Sequence, residues 1–544
     1  MNGVHWLLHP VASLNRWRRD RVRHGLQLLK YRYQIFRSLL EDNHRALTLL
    51  TEIGAKLRTG GISVAFTEKV TALVGVVGEM IEKQEHLDST SVKGLISRYQ
   101  TIAAAVNGGL AMLSRSEPSP FCVALADVQP GMLQEAGGKA ATLAALKRSP
   151  ELRVPEGFVL TASAGRLFLE HNGLLLTIMA QFRPFLARKE IPGAEVLAQV
   201  RQQILTAPLP HSLAESLRTT ADPWFLRAGG ARFAVRSSAV SEDSQRHSFA
   251  GQFATVLNVA SLESLVQSVK QVIASAFSGR NISYRLHAGL DPLEYDLAIL
   301  CLEMVAAQAS GTLFTRDPND PDSGRMLISA VFGLGELAVS GSGSADIYRP
   351  DRFGAAGIMA SIAVKEQRLI MQPDGGTVIE PLPLAMHSQS VLSFQRLSEL
   401  VQAGIAIERK FGNPQDIEWA YDEHDRLVIL QSRPFRTAVR PANSRGHLGR
   451  QLLLDGGMAA SRGEAVGRAH LVLRRDDLHD LPEGPLVLIL QQSLPDAVEV
   501  LDRVAALVVE LGNPVDHLSC VAREYGIPML TGMEHASKRI ANHS

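Results

Sequence analysis

The first 118 residues carry a repeating pattern of apolar and polar positions that predicts α-helices. The pattern is clearest from Leu26 to Leu50, where apolar residues recur at intervals of three and four and therefore share one helix face. Helical patterns return at 70–81 and 92–113, and the stretch TGGIS at 59–63 separates the first helix from the second. We predict a helical bundle over 1–118, whose apolar stripe is either core or a docking face for a partner.

After the stretch SEPSP the pattern changes to short apolar strands, glycine-rich turns and intervening helices, and it continues in this way from 119 to about 436. The segment TAVRPANSRGHLGR at 437–450 has little periodicity and is typical of a linker. A compact segment follows at 451–544. The sequence therefore predicts a multidomain α+β protein in which the last domain is able to move.

Composition and charge exclude several classes of protein. A chain of 544 residues with 46% hydrophobic content has room for roughly three to four domains. Its 56 basic and 55 acidic residues leave almost no net charge, so the whole molecule has no field that attracts nucleic acid. No apolar run is long enough for a membrane span. The only cysteines, Cys122, Cys301 and Cys520, form no CxxC pair, which argues against zinc and favours a reducing, cytoplasmic location.

One candidate phosphate-binding loop lies at 229–253, in GGARFAVRSSAVSEDSQRHSFAGQF. It begins with the strand-like run RFAVR and continues with small and polar residues, which let backbone N–H groups approach an anion. Arg236, at the end of the strand, offers a fork of donors for phosphate oxygens. A serine-rich loop with an arginine also forms simple turns, so both interpretations stay open.

A second candidate lies at 414–434, in PQDIEWAYDEHDRLVILQSRP, where two strand-like runs flank the turn DEHD and predict a hairpin. Alternation along the strands places Asp416 and Glu418 on one face, and Gln431 and Arg433 share a face of the return strand. Carboxylate and amide oxygens suit Mg²⁺ bridged to phosphates. The alternative is an exposed, charged hairpin without a ligand.

Seven segments of this region follow one another in a characteristic order: AGGKAATLAAL at 136–146, VPEGFVLT at 154–161, AVRSSAVSEDSQRHSFAGQF at 234–253, SAFSGRNISYR at 275–285, SGTLFTRDP at 310–318, VFGLGELAVSG at 331–341, and PQDIEWAY with ILQSRP at 414–434. Together they resemble the nucleotide-binding domain of the phosphoenolpyruvate synthase and pyruvate phosphate dikinase family. The resemblance implies an ATP-grasp domain over 119–436. It implies ATP contacts at Lys139, Arg236, Glu336 and Arg433. It implies a Mg²⁺ site at Asp416, Glu418 and Gln431.

The C-terminal stretch ELGNPVDHLSCVARE at 510–524 is similar to the swivelling phosphohistidine domain of the same family. The resemblance implies that His517, at the start of a helix, carries a phosphoryl group. A helix N-terminus favours a neutral imidazole, and its free N–H groups can donate hydrogen bonds to phosphoryl oxygens. The family usually has threonine followed by serine or cysteine where this chain has Val515 and Asp516. Asp516 can cap the helix, but its charge would repel phosphate if it faced the same way. The alternative is a structural histidine in a degenerate domain.

The resemblance implies an ATP- and Mg²⁺-dependent phosphotransferase of the pyruvate, water dikinase type, in which ATP yields AMP and phosphate and His517 holds the middle phosphoryl group. The sequence has no room for the family's pyruvate-binding TIM barrel, and the domain at 451–544 looks clipped. We therefore expect the phosphoryl acceptor elsewhere, for instance on a second polypeptide that carries the barrel. Two alternatives are a kinase of a small hydroxyl compound, similar to rifampin phosphotransferase, and a non-catalytic nucleotide-binding scaffold.

Overall fold

A computed structural model of the chain describes residues 9–59, 64–87, 92–113, 120–186, 188, 190–239, 252–287, 290, 293, 296–341, 343–352, 358–435, 452–478 and 481–540. Their contacts form two compact units, Met1–Pro118 and Ser119–Ser544. Most of the predicted phosphate-binding loop after Ala239 and the predicted linker at 437–450 lie outside the described residues. Among the helices that are described, none is both long and apolar enough to cross a membrane.

The first unit consists of α1 (His9–Thr59), α2 (Val64–Leu87) and α3 (Lys93–Leu113) in the part that is described. The three predicted helices are therefore confirmed, whereas their arrangement as a bundle stays a prediction. Helix α1 packs along α2, and the Tyr99 hydroxyl of α3 donates a hydrogen bond to the Val74 carbonyl of α2 at 3.0 Å. The apolar stripe predicted on α1 is exposed where its side chains are described, as at Leu29 and Tyr33, each 65% exposed.

The second unit mixes helices and sheets. Its α-helices are α4 (Leu133–Lys147), α5 (Ala162–His171), α6 (Leu174–Leu186), α7 (Ala194–Thr206), α8 (His211–Phe225), α9 (Leu262–Ser275), α10 (Gly279–His287), α11 (Glu336–Ser340), α12 (Phe394–Phe411), α13 (His517–Tyr525) and α14 (Ala536–Arg539). Its strands are β1 (Cys122–Ala124), β2 (Gly157–Leu160), β3 (Phe233–Ala239), β4 (Thr255–Val259), β5 (Leu297–Glu303), β6 (Ala309–Phe314), β7 (Leu327–Phe332), β8 (Asp346–Arg349), β9 (Met359–Ser361), β10 (Gln367–Met371), β11 (Thr377–Pro381), β12 (Gln415–Tyr421), β13 (Leu427–Pro434), β14 (Met458–Ser461), β15 (Arg468–Val472), β16 (Leu486–Gln492), β17 (Val504–Leu511) and β18 (Met529–Thr531).

Two antiparallel sheets build the larger part of this unit, in the strand orders β1-β2-β5-β3-β4 and β13-β12-β6-β7-β8-β9. They share one hydrophobic core, because Leu300 of β5, Leu313 of β6 and Trp419 of β12 belong to the same buried cluster as Leu143 of α4 and Leu400 of α12. The predicted hairpin is confirmed as β12 and β13. The shared core brings β3 of the first sheet close to this hairpin of the second.

The C-terminal part forms a third sheet in the order β14-β18-β17-β16-β15, in which β15 to β18 are parallel and β14 is an antiparallel edge strand. Strand β16 is a nearly continuous apolar run, as expected for a parallel strand with both faces covered. Strand β17 ends at Leu511, and α13 begins six residues later at His517. His517 thus lies beyond the carboxyl end of a parallel strand, where α/β sheets commonly place functional groups.

Candidate active site

A cavity of about 300 Å³ brings together residues that are far apart in the sequence. Seven of the eight predicted site residues line it: Lys139, Arg236, Glu336, Glu418, Gln431, Arg433 and His517. Asp416 is the exception. The lining contains four cationic side chains and several apolar ones, among them Leu257, Leu302, Met304, Leu334 and Leu430. Such a cavity suits a ligand that joins a flat apolar ring to several anionic groups.

Arg236 lines the cavity and joins the two sheets. One terminal nitrogen, Nη2, donates to Glu418 Oε2 at 2.9 Å and to Gln431 Oε1 at 2.7 Å. Glu418 and Gln431 are cross-strand neighbours in the hairpin, so their oxygens converge on one point. The buried Nε of Arg236 has no hydrogen-bond partner within the described part of the chain.

Neighbouring positive charges keep the carboxyl group of Glu418 ionised. Its burial acts to raise the pKa, but the nearby Arg236 and Arg433 outweigh burial and hold the pKa of Glu418 below its usual value. A buried carboxylate that stays ionised is a suitable ligand for a hard cation. Among the described residues no cluster of three or more histidine, cysteine or acidic side chains has the arrangement of a metal site. Glu418 and Gln431 alone offer two convergent oxygens, which matches Mg²⁺ when nucleotide and water supply the remaining ligands.

Asp416 lies beside the cavity and contacts Arg433 instead. Its Oδ2 accepts from Arg433 Nε at 2.9 Å and from Nη2 at 2.7 Å, and the two residues are directly opposite each other in the hairpin. Burial raises the pKa of Asp416, and Arg433 opposes this rise. The pair fixes the guanidinium plane of Arg433, which lines the cavity. A metal-binding role for Asp416 stays a prediction, and the observed contact is that of a group that orients Arg433.

Lys139 reaches the cavity because of the glycines that precede it in AGGK. Gly137 has φ of +75°, and a Cβ at this position would lie 1.6 Å from the Ser238 carbonyl oxygen. Only glycine permits this approach between α4 and β3. The Ser238 hydroxyl donates to Ala136 O at 2.8 Å and accepts from Ala140 N at 3.1 Å. These contacts hold the start of α4 on β3, and Lys139 Nζ lies 3.3 Å from Ser237 Oγ.

Glu336, Arg280 and Glu303 complete the charged lining among the described residues. Glu336 is the first residue of α11, and its burial raises the pKa of the carboxyl group. Arg280 is a residue to which the sequence assigned no role, although it stands in the segment SAFSGRNISYR. Arg280 lies near the start of α10, lines the cavity and forms an ion pair with Asp496. The sequence showed an arginine inside a segment that resembles the family. It did not show in which direction the side chain of this arginine points.

Asp516 turns away from the cavity and caps α13. Its carboxylate accepts from Ser519 N at 2.8 Å and from Asn513 N at 3.2 Å. It is fully buried, and it is not part of the cavity lining. The predicted helix cap is confirmed. The carboxylate therefore does not face the space in which an anion beside His517 would lie.

The loop that carries His517 contacts the large sheets closely. Asn513 Nδ2 donates to the Ala338 carbonyl of α11 at 2.7 Å. Gly341, just after α11, has φ of +72°, and a Cβ there would lie 2.5 Å from Asp516 Oδ2 and 2.6 Å from Ser493 Cβ. The loop therefore packs directly against the backbone of Gly341, with no space for a side chain.

Val515 adds an apolar contact between the His517 loop and the large sheets. It is buried in a cluster with Phe314, Leu327 and Ile347, which come from strands β6, β7 and β8. Arg523 lies over the Phe314 ring at 5.4 Å, a cation–π arrangement. A threonine hydroxyl would be poorly matched to this apolar surface. The departure at 515 is therefore explained by packing in this chain.

The imidazole of His517 is held in its neutral form. Burial lowers the pKa of His517 to about 4, and the neighbouring Arg433 contributes in the same direction, partly opposed by Glu418. A neutral ring nitrogen has a free electron pair at physiological pH. His517 thus faces a cationic cavity as a potential nucleophile.

The lowered pKa predicts a pH-dependent contribution to stability. Folding shifts the pKa of His517 from 6.5 to about 4, so the unfolded chain binds more protons between these values. The free energy of unfolding is therefore expected to fall as pH decreases from 6.5 towards 4. His517→Gln does not titrate and should lose less stability than the wild type in this window, measured by urea unfolding at a series of pH values. Identical pH dependence in both proteins would contradict the low pKa.

Comparison with known proteins adds independent information on both parts of the second unit. Residues 133–447 match the family model described as the pyruvate phosphate dikinase AMP/ATP-binding domain, and residues 482–544 match that of the PEP-utilising enzyme mobile domain. A probable phosphoenolpyruvate synthase of Archaeoglobus fulgidus is 33% identical over 425 residues, which cover 76% of this chain and 55% of the relative.

Two further relatives match this chain with similar identity and coverage. Phosphoenolpyruvate synthase of Pyrococcus furiosus is 30% identical over 448 residues, with 74% of this chain and 54% of the relative covered. That of Neisseria meningitidis is 30% identical over 435 residues, with 75% and 54% covered. The chain spans about half the length of the curated relatives it matches.

Proposed function

This chain belongs to the phosphoenolpyruvate synthase and pyruvate phosphate dikinase family, and we propose that it is a dikinase-type phosphotransferase that moves a phosphoryl group from ATP to His517. One observation carries the proposal. His517 lines the same cavity as Arg236, Glu418 and Arg433, although at least 84 residues of sequence (517 − 433) separate it from each of them. The proposed nucleophile and the proposed phosphate-binding groups thus share one cavity.

The proposed reaction has two steps. A neutral imidazole nitrogen of His517 attacks the β-phosphorus of ATP, and the bond from this phosphorus to the oxygen of AMP breaks. The pyrophosphoryl group on His517 then transfers its terminal phosphoryl group to water, which releases inorganic phosphate and leaves phosphohistidine. The histidine supplies the electron pair for the new P–N bond, and AMP leaves with the pair of the broken P–O bond.

The cationic side chains act on the phosphates. Lys139, Arg236 and Arg433 line the cavity together with His517, and each can act as a charge-assisted donor to triphosphate oxygens. In this proposal Glu418 and Gln431 hold Mg²⁺, which when bound neutralises charge on the phosphate oxygens. Asp416 acts through Arg433, whose guanidinium it orients. Preorganised positive charge of this kind stabilises the transition state of phosphoryl transfer.

We further propose that the phosphoryl acceptor binds elsewhere, for instance on a second polypeptide with a pyruvate-binding barrel. The proposal rests on the incomplete coverage of the relatives, which are about twice as long as the matched region. We propose a cytoplasmic location, in keeping with the three thiols of Cys122, Cys301 and Cys520, which form no disulfide with one another.

The direct test is incubation of the purified protein with ATP and Mg²⁺, followed by separation of the nucleotides. We expect AMP and inorganic phosphate, with a rate that added pyruvate does not change. Formation of ADP in place of AMP would overturn the dikinase proposal. Stoichiometric phosphoenolpyruvate from ATP and pyruvate, without any other protein, would show that the acceptor site lies in this chain.

Arg236→Ala tests the nucleotide site. Because the change removes a charge-assisted contact, we expect ATP binding to weaken by about 1.5–3 kcal/mol, measured by isothermal titration calorimetry. Arg426→Ala is a matched control, since Arg426 also forms an ion pair in the hairpin, with Asp422 at 2.7 Å, but does not line the cavity. Equal ATP affinity in the two variants would remove Arg236 from the proposed site.

A further inference from the structure

Helix α1 carries an apolar seam that the described part of the first unit leaves uncovered. We define the seam by seven residues: Leu29, Tyr33, Phe36, Leu40, Asn43, Leu47 and Leu50. Their spacing alternates strictly between four and three, which is the heptad spacing of a helix that packs along another helix. The six apolar members are 50–65% exposed. Isolated exposed leucines are common, but a continuous stripe of this length marks an interaction site.

A neighbouring face of α1 already has its partner. Ala46 and Ile53 are buried, and Asp42 forms an ion pair with Lys83 of α2. The seam lies on the side of α1 that is not used by these contacts. Helix α1 therefore has two packing faces, and α2 occupies one of them.

Few apolar side chains are buried in the described part of the first unit. Where its side chains are described, the fully buried apolar residues are Ala46, Ile53, Phe66, Val76 and Val92. Within the described residues, so few buried side chains give little stabilisation from burial alone. Units of this kind commonly obtain the missing burial from association.

We infer that a second copy of this chain covers the seam, so that the two α1 helices pack along each other about a two-fold axis. Six half-exposed large side chains offer on the order of 600 Å² per copy, close to the roughly 800 Å² per partner of a standard interface. A two-fold pair uses the same patch on both copies and closes on itself. Asn43 lies within the seam, where a polar residue fixes the register of paired helices at some cost in stability.

Charge at the margin of the seam gives this pairing a distinctive salt dependence. The edge away from α2 carries the cations Lys30 and Arg37, and Arg37 is partly compensated by Glu41 at 3.4 Å. In a pair of copies these like charges approach one another, so salt strengthens the dimer by screening them. An acidic partner helix would show the opposite dependence.

The test compares two variants of the full-length protein by sedimentation equilibrium. Leu40→Glu places a charge in the middle of the seam and should raise the dimer dissociation constant by about 100-fold or more. Tyr31→Glu is the matched control, because Tyr31 is 51% exposed and Leu40 52% exposed on the same helix, but Tyr31 lies outside the seam. Circular dichroism should show equal helix content in both variants, which separates loss of association from loss of folding.

We expect a dimer for the wild type and for Tyr31→Glu, a monomer for Leu40→Glu, and a lower dissociation constant at higher salt. A wild type that stays monomeric at all attainable concentrations would overturn the inference. So would a Leu40→Glu variant with wild-type affinity, or a wild-type dimer that salt weakens. The test needs no nucleotide, so its outcome is independent of the proposed phosphotransfer.

Discussion

Replacement of His517 by alanine is expected to abolish transfer of label from β-labelled ATP to the protein. His517 is the histidine of the cavity lining, and its imidazole is held neutral beside Arg433. A phosphoramidate bond is labile in acid and stable in base, so the wild-type label should disappear on acid treatment. The measurement is retention of radiolabel on the denatured protein before and after acid treatment.

His424→Ala is the control for this experiment. The His424 side chain is 64% exposed in the turn of the hairpin, and it does not line the cavity. This variant should be labelled like the wild type. Label that persists in His517→Ala would assign the phosphoryl carrier to another residue, and absence of label in the wild type would favour a nucleotide-binding scaffold.

Replacement of Gly341 by alanine is expected to slow the labelling of His517 by about 100-fold or more while ATP binding remains. The new methyl group would lie 2.5 Å from Asp516 Oδ2, so the loop that carries His517 would have to move. Displacement of a nucleophile by about 1 Å is enough to cost about 100-fold in rate. The measurement is the single-turnover rate of labelling, together with ATP affinity by calorimetry.

Gly412→Ala separates this steric effect from backbone strain. Gly412 ends α12 with φ of +73°, nearly the same as Gly341, but a Cβ there meets no atom within 4 Å. Both variants place alanine in the left-handed region, and only one disturbs the His517 loop. Similar labelling rates in the two variants would show that the contact between Gly341 and Asp516 does not position His517.

Local patterns predicted much of the fold because they depend on neighbours in the sequence. The alternation at 414–434 predicted the hairpin, and the apolar periodicity predicted three helices in the first unit. The same patterns do not tell what covers an apolar face. The stripe from Leu29 to Leu50 was open to two interpretations, and its described side chains are exposed.

Side-chain direction limited what could be predicted about the site. Alternation placed Asp416 and Glu418 on one face, but the first contacts Arg433 and the second contacts Arg236. Two side chains on the same face of a strand therefore need not contact the same residue. The sequence also did not show where the Asp516 side chain points. In the structure its direction is fixed by the hydrogen bonds that it accepts from Ser519 N and Asn513 N. Proximity of His517 to the hairpin came from the family resemblance, because no local pattern links such distant segments.

The contact of Arg236 with both Glu418 and Gln431 has a consequence for the order in which ligands arrive. The guanidinium occupies the same two oxygens that we propose for Mg²⁺, so a free ion would have to displace an arginine held at 2.7–2.9 Å. A nucleotide removes this competition, because its phosphates offer Arg236 an alternative partner of higher charge. The ion is therefore expected to enter as its complex with ATP, and release of the product nucleotide would return Arg236 to the two oxygens and expel the ion with it.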